Sequence, residues 1–531
     1  MVTVLYDEDC GFCRWSADEL RAWDRRRGLT FVSIQNPRGA ELLHAVPVAE
    51  RLDSMHAVTP DGRVWSGGRS VPVILAELPG GSTLASIAAT FPGTTEWFYR
   101  LVARHRQRLG RLLGQRVCSV DPSREGSALE VDVSGRLAYG RGMAVAERQM
   151  RIQTSLAPFL RGILGSAPLL GDPDACDFLA GNPEVPALPG YVETLQKWLE
   201  PQDRRWFAYG MPDPRAAKAA SAALADELGL AFDPEDIILT RGAHGAMALA
   251  MATVLDPGDE VVFISPPWFF YEALILGAGA TPVRVRANES TWDLDLDAIG
   301  AALSARTRMV LINTPNNPTG RIYPDDTLAL LASLLERRSN EAGRAVYLLS
   351  DEAYSKILFD GNVMRSPASH YARTLVVHTF SKSTLAPAER LGYLAMPPTM
   401  PAREALRQAA MSAGLATSNM APDAVMQYAL PDLLHITVDM ERLQLRRDRL
   451  LEALRAAGYQ VHTPEGTFYL LVRSPIDDEG AFVRRLAQDK ILAMSGDMFE
   501  MPGYFRLSIT ATDDMVERAI PVFEKAISET R

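Results

Sequence analysis

The chain has 531 residues, of which 47% are hydrophobic and 23% are charged. This length predicts more than one domain, and the composition excludes disordered, collagen-like or low-complexity chain for most of the sequence. The formal net charge of −10 argues against a nucleic-acid-binding protein that works by neutralising phosphates. We therefore expect no nucleic-acid partner.

The four cysteines are too few for a secreted disulfide framework and indicate a reducing, cytoplasmic location. The first residues carry acids where a signal peptide needs a basic segment and an apolar run, so we predict no export signal. The longest apolar stretch, near residues 263–280, is interrupted by two prolines and a glutamate. We expect no membrane span and no membrane partner.

The first 116 residues predict a small α/β domain. Residues 2–6 are rich in β-forming side chains, and residues 14–26 have helical spacing of apolar positions after a turn. A second strand is predicted at 29–34 and a third at 69–75, which is entered through Pro72. Residues 97–116 predict a basic amphipathic helix, and its simplest interpretation is a solvated arginine face over an apolar stripe.

Residues 117–150 are interpreted as a linker and the start of an N-terminal arm, since the sequence from 117 to 140 is polar and aperiodic. Beyond them, apolar runs alternate with helical stretches for almost 300 residues, which is typical of a mostly parallel sheet covered on both faces. Residues that can do chemistry follow these runs, at the strand ends where such sheets bind ligands. From about Ala402 onward the pattern predicts a smaller α+β domain.

One of the six lysines stands apart by its context. Lys382 follows an apolar run in a turn that also contains Thr379 and Ser381, and Arg390 comes eight residues later. Hydroxyl groups and a guanidinium around one amine suit a cofactor that carries a phosphate. Lys356 is the only other lysine that a helical or surface context does not explain.

Several motifs in order make residues 150–531 resemble the class I/II aminotransferases, the fold-type I enzymes that use pyridoxal 5′-phosphate (PLP). The resemblance implies an α/β fold. It places a large PLP-binding domain at about 200–400 and a small domain at about 151–199 plus 401–531. The motifs are the Tyr209 region, 240–244, 266–271, 313–320, 351–354, the Lys382 turn and 504–508.

The resemblance assigns Lys382, Asp351 and Tyr354 to catalysis with PLP as the cofactor. Lys382 would bind the cofactor's aldehyde, and Asp351 would face the pyridine nitrogen, which must stay protonated. Asn317 and Tyr354 match the positions that hydrogen-bond the phenolic oxygen, and Trp268 matches the one that stacks on the ring. The implied phosphate ligands are Gly242, Ala243, His244, Thr379, Ser381 and Arg390.

Arg506 matches the family arginine that holds the substrate α-carboxylate, and its planar fork of donors suits that group. Asn317 and Gly181 complete the substrate-binding positions. Tyr209 resembles the tyrosine that reaches the phosphate of the neighbouring subunit, which implies a homodimer.

Cys10 and Cys13 lie between a predicted strand and a predicted helix, where a helix N-terminus lowers a thiol pKa. With Asp7 they make residues 1–116 resemble the DCC family of thiol-disulfide oxidoreductases, which implies a thioredoxin-like fold, and Val71-Pro72 could be its cis-proline bond. Half of a zinc site and an inherited domain without redox turnover are alternatives. We predict no metal.

The leading hypothesis is a PLP-dependent aminotransferase that acts on an α-amino acid and a 2-oxo acid in specialised biosynthesis. The same residues would also serve a decarboxylase, lyase, cyclase or oxidase. A thiol-disulfide oxidoreductase or scaffold protein with a secondary PLP domain is a third reading.

Overall fold

A computed structural model describes residues 1–7, 11–25, 27–44, 46, 51, 54–91, 95, 99, 145–209, 212–417 and 422–530. The chain separates into two compact units, residues 1–142 and residues 143–531. Within the described residues no helix is long and apolar enough to cross a membrane. The predicted basic helix at 97–116 and most of the predicted linker lie outside the described part of the chain.

The first unit has the strand and helix order expected of a thioredoxin-like domain. Its sheet has the order β2-β1-β3-β4, in which β1 and β2 are parallel and the β1/β3 and β3/β4 pairs are antiparallel. Asp24 closes the turn before β2, since its carboxylate accepts the backbone N–H groups of Gly28 and Leu29. The elements are β1 (Val2–Tyr6), α1 (Gly11–Trp23), β2 (Leu29–Ser33), α2 (Pro37–Leu42), β3 (His56–Val58), β4 (Val64–Ser66), α3 (Ser70–Glu77) and α4 (Ser82–Thr90).

The strand predicted at 69–75 is wrong, because these residues form helix α3. Pro72 lies in the first turn of α3, where a missing N–H leaves no helical hydrogen bond unmade. The expected cis bond at Val71-Pro72 is also wrong: the described cis peptide bonds precede Pro266, Pro315 and Pro318. A short apolar run such as this one does not separate strand from helix by its pattern.

The second unit begins with a long helix and alternates strands with helices thereafter. Its elements are α5 (Glu147–Ser166), β5 (Cys176–Asp177), α6 (Tyr191–Leu199), α7 (Pro214–Leu228), β6 (Ile237–Thr240), α8 (Gly242–Val254), β7 (Glu260–Ser265), α9 (Tyr271–Gly277), β8 (Thr281–Arg286), α10 (Leu296–Ala302), β9 (Thr307–Asn313), α11 (Asp325–Ala342), β10 (Tyr347–Asp351), β11 (Thr374–Thr379), β12 (Gly392–Ala395), α12 (Arg403–Ala416), α13 (Ala424–Leu433), α14 (Met440–Ala457), β13 (Tyr469–Arg473), α15 (Glu479–Gln488), β14 (Ile491–Leu492), β15 (Met494–Ser495), β16 (Tyr504–Ser508) and α16 (Asp513–Ser528).

Seven strands form the central sheet, in the order β6-β12-β11-β10-β9-β7-β8. β12 runs antiparallel to both of its neighbours, and the other described pairs of this sheet are parallel. The prediction of a mostly parallel sheet is therefore confirmed. β7, β10 and β11 are buried along their whole length, as expected for strands that helices cover on both faces.

Among the described residues, three clusters of apolar side chains cover the faces of this sheet. One contains α8 and extends to α14 and α16. A second packs α10 and α11 against the opposite face, and a third packs α7 and α13 against β6, β11 and β12. The closing part of the chain forms a three-stranded antiparallel sheet in the order β13-β16-β15. β14 pairs with β5, so a segment that precedes the large sheet in sequence joins the elements that follow it.

Gly392 provides a test of how tightly β12 packs against the start of α8. A Cβ atom there would lie 2.8 Å from backbone atoms of Gly242 and closer still to the carbonyl oxygen of His378. We expect Gly392→Ala to lower the free energy of unfolding by about 1–3 kcal/mol, measured by chemical denaturation.

Gly300→Ala on α10 is the matched control, because its Cβ would meet only two methyl groups of Leu334, at 3.7 and 3.8 Å. Alanine within a helix should then raise stability by about 0.5–1 kcal/mol. Equal effects of the two substitutions would contradict the packing described for β12.

Candidate active site

The carboxyl ends of the central strands open into a cavity of about 370 Å³. Parallel strands present their carboxyl ends at the same edge of the sheet, and the loops that follow them carry the side chains that line this cavity. The structure thus brings together most of the predicted site residues. Those that line the cavity are Gly181, Ala243, His244, Trp268, Asn317, Asp351, Tyr354, Thr379, Ser381, Lys382, Arg390 and Arg506.

Among the described residues, Lys382 is the only lysine that lines this cavity. Its Nζ lies 5.6 Å from the ring centre of Tyr354 and 5.5 Å from that of Phe468. No carboxylate of the described residues forms an ion pair with it. An amine that faces two aromatic rings inside a cavity is placed to react with a carbonyl group.

The other lysines have ordinary structural roles. Lys356, which the sequence left unexplained, pairs with Glu227 at 2.7 Å. Lys218 is exposed on α7. The remaining three form ion pairs with aspartates: Lys197 with Asp432, Lys490 with Asp172 and Asp174, and Lys525 with Asp489.

Asp351 is the last residue of β10, and its carboxylate is buried. Burial raises the pKa of this carboxyl to about 6, although hydrogen bonds from Tyr271 and from the Ala353 N–H and the charge of Lys382 act in the opposite direction. The Tyr271 hydroxyl donates to Asp351 Oδ2 over 2.6 Å. The sequence did not single out Tyr271, because its partner lies 80 residues away.

Asn313 ties the loop after β9 to the end of β10. Its amide nitrogen donates to the carbonyl oxygen of Asp351, and its amide oxygen accepts the backbone N–H of Asn317. The side chain of Asn317 is buried and accepts a hydrogen bond of 2.8 Å from Arg506 Nη1. Asn313 therefore fixes the residue that orients the guanidinium.

The start of α8 and the turn after β11 both contribute side chains to the cavity lining. Gly242 has a φ of +70°, and a Cβ there would lie 2.9 Å from Nη2 of Arg390, so glycine lets this arginine approach the helix N-terminus. Thr379 Oγ1 lies 3.0 Å from Ser381 Oγ. Backbone N–H groups at a helix N-terminus, hydroxyls and a guanidinium together form a site for a phosphate.

Arg506 on β16 also lines the cavity and is buried. Nη1 donates to Asn317 and Nη2 to the carbonyl oxygen of Leu179, whereas Nε has no hydrogen-bond partner among the described residues. The guanidinium carbon lies 3.8 Å from the ring centre of Tyr469. A buried guanidinium with an unused donor is suited to bind a carboxylate, because without an anionic ligand its positive charge stays uncompensated.

Tyr469 is a second residue that sequence reasoning missed. Its hydroxyl accepts a hydrogen bond of 3.4 Å from that of Tyr354. Burial would raise the pKa of Tyr469, but the charges of Arg506 and Lys382 outweigh it and lower that pKa. Gly181 lies against this tyrosine, and a Cβ at Gly181 would collide with the Tyr469 hydroxyl and with the Phe468 ring. The role of Gly181 is thus to make room.

Two residues predicted for the PLP site, Gly242 and Tyr209, are not among those that line the cavity. Gly242 lies next to Arg390, as described above. Tyr209 is fully exposed, and its contact with a neighbouring subunit stays a prediction. In the first unit, Cys13 is half-buried on the first turn of α1, whereas Cys10 lies outside the described residues.

The cavity offers what PLP requires of a protein: an amine, a buried carboxylate and an anion site at a helix N-terminus. Arg390 against Gly242, the Tyr271–Asp351 hydrogen bond and the position of Lys382 are separate features that fit different parts of this cofactor. A metal centre has no comparable support, since no cluster of three or more His, Cys, Asp or Glu residues that could hold a metal occurs in the described part of the chain.

Comparison with known proteins agrees with this geometry. Residues 175–523 match the family "Aminotransferase class I and II", and residues 4–112 match "DCC1-like thiol-disulfide oxidoreductase". The aspartate/prephenate aminotransferase of Thermus thermophilus is 29% identical over 67% of this chain and 91% of its own length. The aspartate aminotransferase of Thermotoga maritima is 28% identical over 66% and 91%. A solved aminotransferase from Eubacterium rectale superposes with a TM-score of 0.67 at 29% identity, covering 73% of this chain and all of that one.

The chain therefore belongs to the class I and II aminotransferase family, and it is a PLP-dependent transferase of fold type I. In this chain a DCC1-like domain precedes the aminotransferase region. Both family assignments made from the motifs are confirmed, as is PLP as the cofactor.

The hydrogen bond from Tyr271 to Asp351 predicts a shift in the pH dependence of cofactor binding. The pKa of the Asp351 carboxyl is about 6, and this hydrogen bond acts to lower it. Tyr271→Phe removes the bond and should therefore raise this pKa. Only the ionised carboxylate can hold a protonated ring nitrogen. We expect the midpoint at which PLP affinity is lost on acidification to move to higher pH, measured by titration with PLP from pH 5 to 8.

Tyr371→Phe is the matched control, since Tyr371 is also buried and donates to a backbone carbonyl, that of Val346. It should lower stability without moving this midpoint. Identical midpoints for Tyr271→Phe and the native protein would show that Tyr271 does not support the charge of Asp351.

Proposed function

We propose that the protein transfers an amino group between an α-amino acid and a 2-oxo acid. The observation that carries this proposal is the placement of three groups around one cavity: the Lys382 amine, the buried Asp351 carboxylate and the buried Arg506 guanidinium with its unused Nε donor. An amine without a carboxylate would leave that guanidinium uncompensated. The site therefore favours amino acids over simple amines.

The residues of this chain would first bind and orient the reactants. Thr379, Ser381 and Arg390 would hold the phosphate of the cofactor, and Arg506 would hold the α-carboxylate of the substrate. Asn317 fixes one arm of the guanidinium. Contacts to the cofactor phosphate and to the substrate carboxylate would together restrict the rotation of the substrate and align its Cα–H bond. This removes an entropic part of the barrier.

PLP, when bound, supplies an aldehyde that condenses with amines and a pyridine ring that accepts electrons from the substrate Cα. Asp351 would hold the ring nitrogen in its protonated form, because a buried, ionised carboxylate favours the protonated form of a group that faces it. Tyr354 would donate to the phenolic oxygen of the cofactor. These contacts increase the acidity of the Cα proton.

Lys382 would act as both base and acid. Its Nζ would accept the proton from the substrate Cα and would later donate a proton, which is the general base and acid role that PLP chemistry requires of the protein. The rings of Tyr354 and Phe468 lie next to each other, edge to face, and both are close to this amine. The similarity to the aspartate/prephenate aminotransferase of Thermus thermophilus and the aspartate aminotransferase of Thermotoga maritima supports transamination as the outcome.

We further propose that the enzyme acts as a cytoplasmic homodimer in specialised biosynthesis. The full exposure of Tyr209 supports a second copy of the chain as its partner. The presence of a thiol-disulfide oxidoreductase domain on the same chain supports a dedicated role beyond general amino-acid metabolism.

The role of Arg506 predicts a loss that depends on the substrate. We expect Arg506→Ala to lower kcat/KM for α-amino acids by an amount equivalent to roughly 2–5 kcal/mol, as for a desolvated charge pair, and to affect amines without a carboxylate much less. Arg473→Ala, an exposed arginine on the adjacent strand β13, is the control and should change neither rate. Equal losses for both substrate classes would make Arg506 a structural residue.

A second activity, thiol-disulfide exchange at Cys10 and Cys13, is favoured by the position of α1. The helix begins at Gly11, so Cys13 lies in its first turn, where backbone N–H groups stabilise a thiolate. Exchange with a disulfide substrate would oxidise these two thiols and reduce the substrate disulfide to two thiols.

Transamination involves no electron exchange with thiols, so the two activities should be separable. We expect the double substitution of Cys10→Ser and Cys13→Ser to abolish disulfide reduction, assayed with a dithiol-regenerating system, and to leave transamination within about threefold of the native rate. A collapse of PLP binding in this variant would mean that the dithiol takes part in the aminotransferase reaction.

A further inference from the structure

An apolar wall lines the part of the cavity that the cofactor and carboxylate contacts leave unused. It consists of side chains from α5, from the loop between β7 and α9, and from β15. Its members are Phe159, Ile163, Phe269, Phe270 and Met494. We refer to these five residues as the apolar wall.

Three phenylalanines form the centre of the apolar wall. The rings of Phe159 and Phe269 are stacked, with their centres 4.3 Å apart at an interplanar angle of 16°. Phe270 meets the edge of Phe159 at 5.2 Å and lies 4.8 Å from Phe269. Side chains that pack on one another in this way form a firm surface, and a bound apolar group gains both area and ring contacts on it.

Close packing holds α5 against the cavity. Phe159 and Ile163 are four residues apart and therefore lie on the same face of the helix. Between them, a Cβ at Gly162 would overlap the end of the Met498 side chain, so glycine allows this close approach. Leu160 is 47% exposed and does not line the cavity. Phe159 and Ile163 therefore both face the cavity, because they share one face of α5.

The apolar wall begins beside the carboxylate anchor. Met494 on β15 is the direct cross-strand partner of Arg506 on β16, and directly opposite residues of an antiparallel pair project on the same face. A substrate whose α-carboxylate is bound by Arg506 therefore has its side chain within reach of this wall. The cross-strand pair thus places the carboxylate-binding Arg506 next to the surface that would contact the substrate side chain.

Among the described residues of this chain, the cavity has no further cation for a second carboxylate. Among the described residues its permanent cations are Lys382, Arg390 and Arg506, and each has a role already. His244 also lines the cavity, but burial and the charge of Arg390 lower the pKa of its ring, which packs edge-on against Trp268 and Phe270 at 5.6 and 5.7 Å. A side-chain carboxylate here would be desolvated without a partner, which is unfavourable.

We propose that the apolar wall selects monocarboxylic amino acids with aromatic or large aliphatic side chains, and that Phe159 is a specificity-determining residue. This inference rests on the proposed aminotransferase function and deepens it. It separates the chain from relatives that are named for aspartate, a substrate with a second carboxylate.

The first test measures binding without turnover. The PLP-loaded enzyme is titrated calorimetrically with 3-phenylpropanoate and with succinate. Both compounds have a carboxylate at one end, but the other end is a phenyl ring in 3-phenylpropanoate and a second carboxylate in succinate. We expect 3-phenylpropanoate to bind at least about tenfold more tightly. Phe159→Ala should remove most of this difference, and Leu160→Ala, on the exposed face of the same helix, should preserve it. Equal or tighter binding of succinate would overturn the proposal.

The second test compares single-turnover rates with phenylalanine, leucine, alanine and aspartate. Phe159→Ala should lower the rate constants for phenylalanine and leucine on the order of tenfold and leave alanine within about threefold. An equal loss for alanine would overturn the specificity role. Ile163→Ala repeats the test at a second wall position should the Phe159 variant fail to fold.

The two tests separate the inference from the function on which it rests. If no amino acid reacts although 3-phenylpropanoate binds selectively, the aminotransferase function fails and the pocket assignment stands. If aspartate reacts fastest, the function stands and the pocket assignment fails.

Discussion

The removal of one carboxylate from water is the constraint on which the site depends. Asp351 ends a strand that is buried along its whole length, and it can remain charged only if its surroundings compensate for the lost hydration. Tyr271, the Ala353 N–H and Lys382 supply part of that compensation, and a protonated pyridine nitrogen would supply the rest. The end of β10 thereby carries a negative charge that a protonated pyridine ring can pair with. The other residues of the cavity lie around this carboxylate.

Two anion sites and an apolar surface line the cavity. Arg390 approaches a helix N-terminus because Gly242 has no side chain, and Arg506 is held in place by a hydrogen bond to Asn317. The polar contacts give orientation, whereas the wall around Phe159 offers area without charge. This division explains how a common catalytic arrangement can accept one class of side chain and reject another, since specificity arises where the chemistry does not.

The sequence predicted site residues whose neighbours lie close in the chain, and it missed contacts between residues that are far apart in the chain. Lys382 could be found because its hydroxyl neighbours and Arg390 lie within a few residues, and the buried strands could be found because each is a continuous apolar run. The partnership of Tyr271 with Asp351 spans 80 residues and leaves no local signal, and the same holds for Tyr469 beneath Arg506. Helix α3 was misread because a short apolar run with a proline fits either a strand or the first turn of a helix.

The most direct test of the account is to locate the cofactor on the chain. The PLP-loaded enzyme is reduced with borohydride, which makes the bond between the cofactor and its lysine permanent, and is then cleaved and analysed by mass spectrometry. The account predicts that the added mass lies on Lys382 and on none of the other five lysines, and that prior incubation with excess amino acid removes it. Labelling of Lys356, or the absence of any labelled lysine in enzyme that has bound PLP, would contradict the central assignment.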